Sequence, residues 1–598
     1  MTSYLRLWWE LLRLSARRLP GMTAAMIAAM LLGTGASAGV ALALRAAIDA
    51  SAHRDATAAV AGAAGAGVIY AMTFVLGNTI GGLRIQLVER IGLIEIDAGI
   101  VGDIAGIEGL GHLERTDYLD RVTVLRKAAW GVMDSAWGAA ESVSNVLRLG
   151  VTLLLLGTVS PWLLALFAFA AAPLWFDQRG RLAVARAETD SAEAMRLQRH
   201  LFELATSAAA GKEIRVAGSG RELARRQAGA WDEATRRRFR AQVAAAAWRA
   251  AGWLVFALGF AGGLALVVYR AARGHGTVGD VVLTITVAAS LRNAVEHTVQ
   301  RSTETASYAR LLGPFLWLRD YARRERQRPA GREAAPLALH EGIALDEVSY
   351  SYPGTGRPAM DGVSIRIPAG SVVAVVGEYG SGKTTLVKLL CKFYRPDSGT
   401  IRIDGTDLDD VDTAAWRSRT SVAFQDFGRY HTTLREAIGL GDISRAGAAG
   451  RVEDAVRAAD AEALAARLPE GLDSRLGREF GGAELSEGQW QKTALARACM
   501  RPDPVLFMLD EPTASLDAPS EHAIFERYMA RARDLADRVG AITIIVSHRF
   551  STVAGADLIL VMESGKLIES GTHAVLAASG GRYAELYGIQ ATAYAPQG

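Results

Sequence analysis

The sequence predicts an all-α transmembrane domain of six membrane helices with long cytoplasmic extensions, followed by an α/β phosphate-loop domain. Three observations carry that expectation. Long uncharged runs crowd the first half of the 598 residues, the chain turns strand-like from Ile343, and a glycine-rich loop at 377–384 sits between a strand pattern and a helix pattern. Hydrophobic residues make up 50% and charged residues 22% of the chain. With a mean hydropathy of +0.15, this excludes disordered and collagen-like chains and argues against a purely soluble protein. Lys and Arg (66) nearly balance Asp and Glu (63), so charge gives no reason to expect a nucleic-acid partner. The two cysteines, Cys391 and Cys499, are too few for a disulfide framework and suit a reducing compartment.

The membrane elements follow in order. Met22 to Leu44, Ala56 to Leu83 and Ala250 to Tyr269 carry no acidic or basic residue between their ends, and about 20 residues suffice to cross the hydrocarbon core. Leu149 to Phe176 is too long for one crossing. Ser160 and Pro161 break it into a third span, which starts further upstream, and a fourth. Val281 to Leu291 is a short sixth run leading into Arg292, Glu296, His297, Gln300 and Arg301; Arg292, Glu296 and Gln300 share one helical face, lining a wet cavity or packing as a cytoplasmic continuation. Two long charged segments, Arg84 to Arg148 and Asp177 to Arg249, read as helices projecting from the membrane. Arg6, Arg13, Arg17 and Arg18, with Arg236, Arg237, Arg238 and Arg240, place the amino terminus, both long segments and the second half in the cytoplasm. Ala36-Ser37-Ala38 mimics a signal cleavage site, but the run around it is longer than a signal core and reads as an anchor. Tyr4, Leu5, Trp8, Trp9, Leu11 and Leu12 describe either a headgroup-layer helix or a packed one. Gly35, Gly39, Gly62, Gly65 and Gly67 are expected to let helices approach. The domains are 1–324 in the membrane, a linker at 325–340, and a soluble domain at 341–598.

Gly377-Glu378-Tyr379-Gly380-Ser381-Gly382-Lys383-Thr384 fits Gly-x4-Gly-Lys-Ser/Thr, with the strand Val372 to Val376 before it and a helix from Thr385 after it. The glycines let backbone N–H groups face a polyphosphate, Lys383 places charge on it, and the Thr384 hydroxyl can ligate magnesium. Asp510 and Glu511 end the apolar strand from Pro504 to Leu509; one carboxylate can reach a metal shell and its neighbour can deprotonate water.

Leu485-Ser486-Glu487-Gly488-Gln489 resembles the signature of ATP-binding-cassette transporters, whose usual form has Gly where Glu487 stands. The remaining motifs follow in the family's order. Tyr352 matches the aromatic that stacks on adenine, Gln425 the Q-loop glutamine, Ser515-Leu516-Asp517 the D-loop, and His548 the switch histidine. The resemblance implies ATP and Mg2+ as cofactors, with Glu511, His548 and Gln425 catalytic and Thr384, Gln425 and Asp510 around the metal. It implies nucleotide contacts from Tyr352, Gly377 through Thr385, Ser486, Gly488 and Gln489. It also implies a second half-transporter, identical or homologous, closing head to tail over two ATP in a cell-membrane protein, with no nucleic acid involved. The extension tips, near Glu114 to Arg121 and Gly211 to Arg221, would press on the cassettes. Glu487 leaves two readings open, a working homodimer that tolerates it or an asymmetric heterodimer whose altered signature caps a weaker site. Phe424-Gln425-Asp426-Phe427, Arg429-Tyr430, the stretch Ser486 to Gln491 and Lys212-Glu213-Ile214-Arg215 resemble exporters of lantibiotics and other modified peptides. Export of a peptide, export of a drug-like molecule or lipid, import on an exporter-type scaffold, and a subunit that uses ATP as a ligand without hydrolysing it all remain open.

Overall fold

The computed structural model describes residues 2–126, 128–327, 331–512, 518–547 and 553–594. The chain divides into two compact units, Met1–Ile104 with Arg121–Arg319, and Ala105–Asp120 with Asp320–Gly598.

The first unit is helical. Among the described residues five stretches, Pro20–Ala52, Ala56–Ala105, Ala128–Val159, Gly220–Ala272 and Val278–Glu296, are long and apolar enough to cross a bilayer. Leu166–Asp190 is the remaining long helix of this region. Its apolar run stops at Asp177, Arg179 and Arg181, so the span that composition leaves short is the fourth rather than the third or the sixth. Ser160 and Pro161 break the chain as expected, with Pro161 opening a 3-10 turn through Ala165. The first helix outlasts its uncharged run. Arg45 pairs with Asp280 at 2.8 Å, and Asp49 accepts from the Gly279 N–H at 3.0 Å, so those polar residues fold onto the start of Val278–Arg326 and the loop shrinks to His53, Arg54 and Asp55.

Ala36-Ser37-Ala38 lies inside the helix Pro20–Ala52, in keeping with an anchor. Of the five early glycines, Gly62 approaches the Ala47 backbone, where an added Cβ would sit 3.0 Å away, and Gly39 meets Ile69 at 3.5 Å. Gly35, Gly65 and Gly67 have nothing within 4 Å of an added Cβ among the described residues. The tightest approach is between the fourth and fifth spans, where a Cβ on Gly252 would stand 2.9 Å from Pro173 Cα and one on Gly259 2.3 Å from the Phe169 ring. In the helix Thr2–Arg18, Leu7 and Leu11 are buried and Trp8 Nε1 donates to Ser135 Oγ at 3.1 Å, while Leu5 and Trp9 face outward. One face packs on protein and the other is exposed.

Arg84 and Asp134 are both buried. The Arg84 Nε and Nη2 donate to the two Asp134 oxygens at 2.7 and 2.6 Å, Nη1 donates to Glu141 at 3.0 Å, and the Tyr308 hydroxyl also reaches Asp134. A buried bidentate pair is costly to break because removing one partner strands the other charge.

The second unit carries two sheets built from β1 (Gly342–Tyr350), β2 (Met360–Pro368), β3 (Val372–Val376), β4 (Ser398–Ile403), β5 (Thr406–Asp407), β6 (Thr420–Ala423), β7 (Leu506–Asp510), β8 (Ile542–Val546), β9 (Leu558–Glu563) and β10 (Lys566–Gly571). An antiparallel sheet runs β2-β1-β4-β5, and a six-stranded sheet runs β10-β9-β3-β8-β7-β6, parallel except for β10. All five residues of β3, β7 and β8 are buried, as expected of parallel strands covered on both faces. The stretch expected to be a linker is strapped to this unit, with the Glu333 N–H donating to Asp410 O at 2.9 Å and the Leu339 N–H to Val539 O at 2.9 Å.

Asp134→Ala is expected to destabilise the first unit by about 3–5 kcal/mol, because Arg84 then stays buried without its main partner. Thermal unfolding of the detergent-solubilised protein measures this, and an unchanged midpoint would contradict it.

Candidate nucleotide site

The order β3-β8-β7 brings three strand ends together at one edge of the parallel sheet, where ligands of such sheets bind. After β3 the chain turns through Gly377, Gly380 and Gly382, all with positive φ. A Cβ at Gly377 would stand 2.1 Å from the Met562 carbonyl oxygen, and one at Gly382 2.5 Å from that of Ala359, so these positions require glycine. Gly382 caps the helix Lys383–Leu390, whose N-terminal end meets the loop. Lys383 is buried, and its ammonium donates to the carbonyls of Gly377 at 2.9 Å and Glu378 at 2.8 Å. Burial lowers its pKa, against the pull of Glu511 and Asp510. Ser381 is buried, whereas Glu378 pairs with Arg582 at the surface and Tyr379 is almost fully exposed.

Asp510 ends β7. It is 2% exposed, and among the described residues neither carboxylate oxygen has a hydrogen-bond partner of good geometry. Burial pushes its pKa up to about 6, with the Thr384 hydroxyl working in the opposite direction and Glu511 and Asp426 adding to the rise. Among the described residues no three His, Cys, Asp or Glu side chains gather closely enough to hold a metal by themselves; the buried Asp510 carboxylate beside the Thr384 hydroxyl offers oxygen donors of the kind a hard divalent cation takes. Glu511 follows in the left-handed region at φ 52°, with its N–H donating to Val546 O at 3.0 Å on the neighbouring strand. A non-glycine residue in that region marks a turn held by its surroundings. Gln425 Nε2 donates to Glu511 Oε2 at 2.9 Å, and Gln491 Nε2 donates to the Glu511 carbonyl at 3.2 Å. Carboxylate and backbone of Glu511 are therefore both fixed.

Tyr352 lies just beyond β1 with its hydroxyl 3.2 Å from Thr385 Oγ1. Its ring meets Tyr350 and Tyr394 edge-on, with centroids 5.1 and 5.6 Å away, and Lys388 Nζ lies 5.3 Å from its centroid. Residues Ala105–Asp120 reach this same cluster. Glu114 accepts from the Tyr394 hydroxyl and lies 3.5 Å from Lys388, the Leu110 N–H donates to Phe393 O at 3.2 Å, and Arg417 donates to Glu108 O at 2.7 Å. The second tip, Gly211 to Arg221, belongs to the first unit.

The signature forms the start of the helix Glu487–Ala498. Ser486 and Gln489 close a reciprocal capping box, Ser486 Oγ accepting from the Gln489 N–H and Gln489 Oε1 accepting from the Ser486 N–H at 2.8 Å. Glu487, the departure from the usual signature, pairs with Arg429. His548 and Ser515-Leu516-Asp517 lie outside the described residues. The structure thus brings the phosphate loop, Asp510, Glu511 and Gln425 together, with Tyr352 joined to Thr385. Sequence reasoning gave no role to Gln491, Arg429 or Lys388. An acidic residue at the first position of a helix, with an arginine in a nearby motif, was the available signal for the Arg429 pair.

Residues 360–514 match the model of the ABC transporter family. Over 325 residues the chain is 37% identical to an ATP-dependent lipid A-core flippase of Aromatoleum aromaticum, covering 53% of this chain and 51% of that protein. A lipid A-core flippase of Chromobacterium violaceum is 33% identical over 410 residues, with 66% and 65% covered. The cyclolysin secretion/processing ATP-binding protein CyaB of Bordetella pertussis is 42% identical over 263 residues, with 44% and 35% covered. The chain thus spans about half the length of the curated relatives it matches first. The fold is that of a bacterial Atm1-family ABC exporter solved with ATP bound, at a TM-score of 0.77 and 24% identity over 95% of this chain and 99% of that one. The chain therefore joins a helical transmembrane domain to an α/β cassette, as expected.

A buried carboxylate whose folded pKa of about 6 exceeds the unfolded value of 3.8 costs stability while ionised, and that cost disappears as pH falls from about 6 toward 3.8. Asp510→Asn is accordingly expected to raise the thermal midpoint of the nucleotide-free, metal-free protein at pH 7.5, by an amount on the order of 2–3 kcal/mol in stability. The difference from wild type should shrink at pH 5; a pH-independent difference would contradict the assignment.

Proposed function

We infer that this chain is one half of an ATP-driven exporter, with residues 1–324 as its membrane domain, 325–340 as its linker and 341–598 as its cassette. Two halves, identical or homologous, close over nucleotide. The observation that carries the reading is the meeting of Lys383 with Asp510 and Glu511 at one sheet edge, where Gln425 holds the Glu511 carboxylate.

Gly377 to Thr385 cradle the phosphates, and Lys383 exchanges its loop carbonyls for the β and γ oxygens. The Tyr352 ring stacks on adenine. Thr384, Asp510 and the carbonyl oxygen of Gln425 would hold Mg2+, which when bound neutralises phosphate charge. Glu511, fixed through its backbone and by Gln425, accepts the proton of the attacking water, and His548 contacts the γ-phosphate. Ser486, Gly488 and Gln489 cap the nucleotide of the other half. The Ser486 oxygen already accepts the Gln489 N–H, which leaves its hydroxyl proton to donate outward.

Closure reaches the membrane through the residues around Glu114, which touch Lys388 and Tyr394 next to Tyr352, and through the second tip, Gly211 to Arg221, pressing on a cassette. The arginine distribution supports a cytoplasmic amino terminus and cassette in a multi-pass cell-membrane protein. Arg292 and Glu296 are exposed in the single chain, which supports a polar cavity lining there. The cargo is an amphipathic molecule. The motif sequences support a peptide; similarity to two lipid A-core flippases supports a lipid as the second reading.

Glu511→Gln is expected to lower ATP turnover by about 10²–10⁴-fold while ATP still binds, as for loss of a general base. Magnesium-dependent phosphate release and nucleotide binding in lipid nanodiscs measure both. Near-normal turnover by this variant would remove Glu511 from its role, and no turnover by the unaltered chain alone would favour the non-hydrolysing or heterodimeric alternative.

A further inference from the structure

The departure at Glu487 sets an electrostatic problem that the fold answers. The side chain stands at the first position of the helix Glu487–Ala498, the end that carries partial positive charge and free N–H groups. A carboxylate there suits the helix, but it opposes the approach of any polyphosphate to the same end. The Arg429 guanidinium sits on that carboxylate. Both side chains are about half exposed, at 49% and 53%, and an ion pair that wet contributes little to folding stability. Its position is what matters.

Arg429 stands four residues after Gln425, in a segment fastened along the length of the signature helix. Near the helix's far end Arg497 lies over the Tyr430 ring at 4.5 Å and donates to Gly428 O at 3.3 Å and to Ala437 O at 2.7 Å. Midway, the His431 ring packs 5.8 Å from the buried Trp490. At the head stands the Arg429 pair. The stretch that begins with the glutamine bonded to Glu511 is thus a strap on the helix that presents the signature.

We propose that Arg429 is a positioning residue of nucleotide capping: it neutralises Glu487 and ties the head of the signature helix to the Gln425 segment, so that the altered signature can close on a polyphosphate. This rests on the sandwich reading above. It also favours a working signature, and hence a competent site capped by this chain, over a weakened one.

The experiment measures magnesium-dependent ATPase of the full chain in lipid nanodiscs for Arg429→Gln, Arg429→Lys, Glu487→Gly and the double variant Arg429→Gln with Glu487→Gly. Arg429→Gln is expected to raise the KM for ATP about tenfold with kcat within about twofold, since an unpaired Glu487 penalises capping before chemistry. Removing Glu487 in that background should return KM to within about twofold of the starting value, and Arg429→Lys should keep most of it. Rescue by deleting the opposite charge is a result that a purely structural role would not give. A double variant as impaired as Arg429→Gln, or an Arg429→Gln chain indistinguishable from the unaltered one, overturns the proposal. If Lys383→Ala abolishes ATPase while the Arg429 series shows no effect, this inference alone falls; if the unaltered chain shows no nucleotide-dependent activity with any partner half, the sandwich reading and this inference fall together.

Discussion

Burying a lysine and an aspartate in one small volume without joining them is the constraint on which the cassette depends. Lys383 turns to two loop carbonyls, and among the described residues neither Asp510 oxygen has a hydrogen-bond partner of good geometry. Both groups sit in an environment that disfavours their charged forms, as the fall of one pKa and the rise of the other show. Such a site gains most from a ligand that supplies phosphate to one charge and a cation to the other. The all-buried strands β3, β7 and β8 are what make this tolerable, because they hold the two charges on a rigid frame.

How much of this the sequence shows depends on whether the information is local. The phosphate loop is local: its glycines are required by positive φ and by carbonyls within contact range of a Cβ, so composition and spacing reveal it. Asp510 and Glu511 are legible as the end of an apolar strand, but their company is not, since β8 comes between β3 and β7 in the sheet though after both in the chain. The bond from Gln425 to Glu511 spans 86 residues, and the pair of Arg429 with Glu487 spans 58; neither leaves a periodic trace. Glu487 shows itself only as an irregularity, and its solution lies in another segment.

The membrane half follows the same rule. Uncharged runs mark the spans, and Pro161 marks the turn between the third and fourth. The fourth is hard to read because its second half is charged: Asp177 pairs within its own helix with Arg181 at 2.7 Å and across to Arg249 of the next span at 3.3 Å, so ion pairing substitutes for apolar composition. Arg45 and Asp49 behave likewise, extending the first helix through contacts with residues more than two hundred positions away. Of the early glycines, Gly39 and Gly62 meet another helix. Close approach needs a partner backbone, which Gly62 finds in Ala47 and Gly252 finds in Pro173, whereas a Gly-x-x-x-Gly spacing by itself does not supply one.

The contacts of Glu114 connect these two kinds of information. Lys388 lies one helical turn beyond Thr384 and Thr385, between the Glu114 carboxylate and the Tyr352 and Tyr394 rings. Its position therefore depends at once on the phosphate loop's helix, on an aromatic cluster beside the nucleotide site, and on a segment that the chain delivers from between two membrane helices. A shift of the Tyr352 ring cannot leave Lys388 and Tyr394 untouched, because ring and ammonium are in contact range and Tyr394 is bonded to Glu114. The aromatic packing and the ion pair make one rigid element of what the sequence writes as three separate places, and a rigid element is what passes a small displacement on rather than absorbing it.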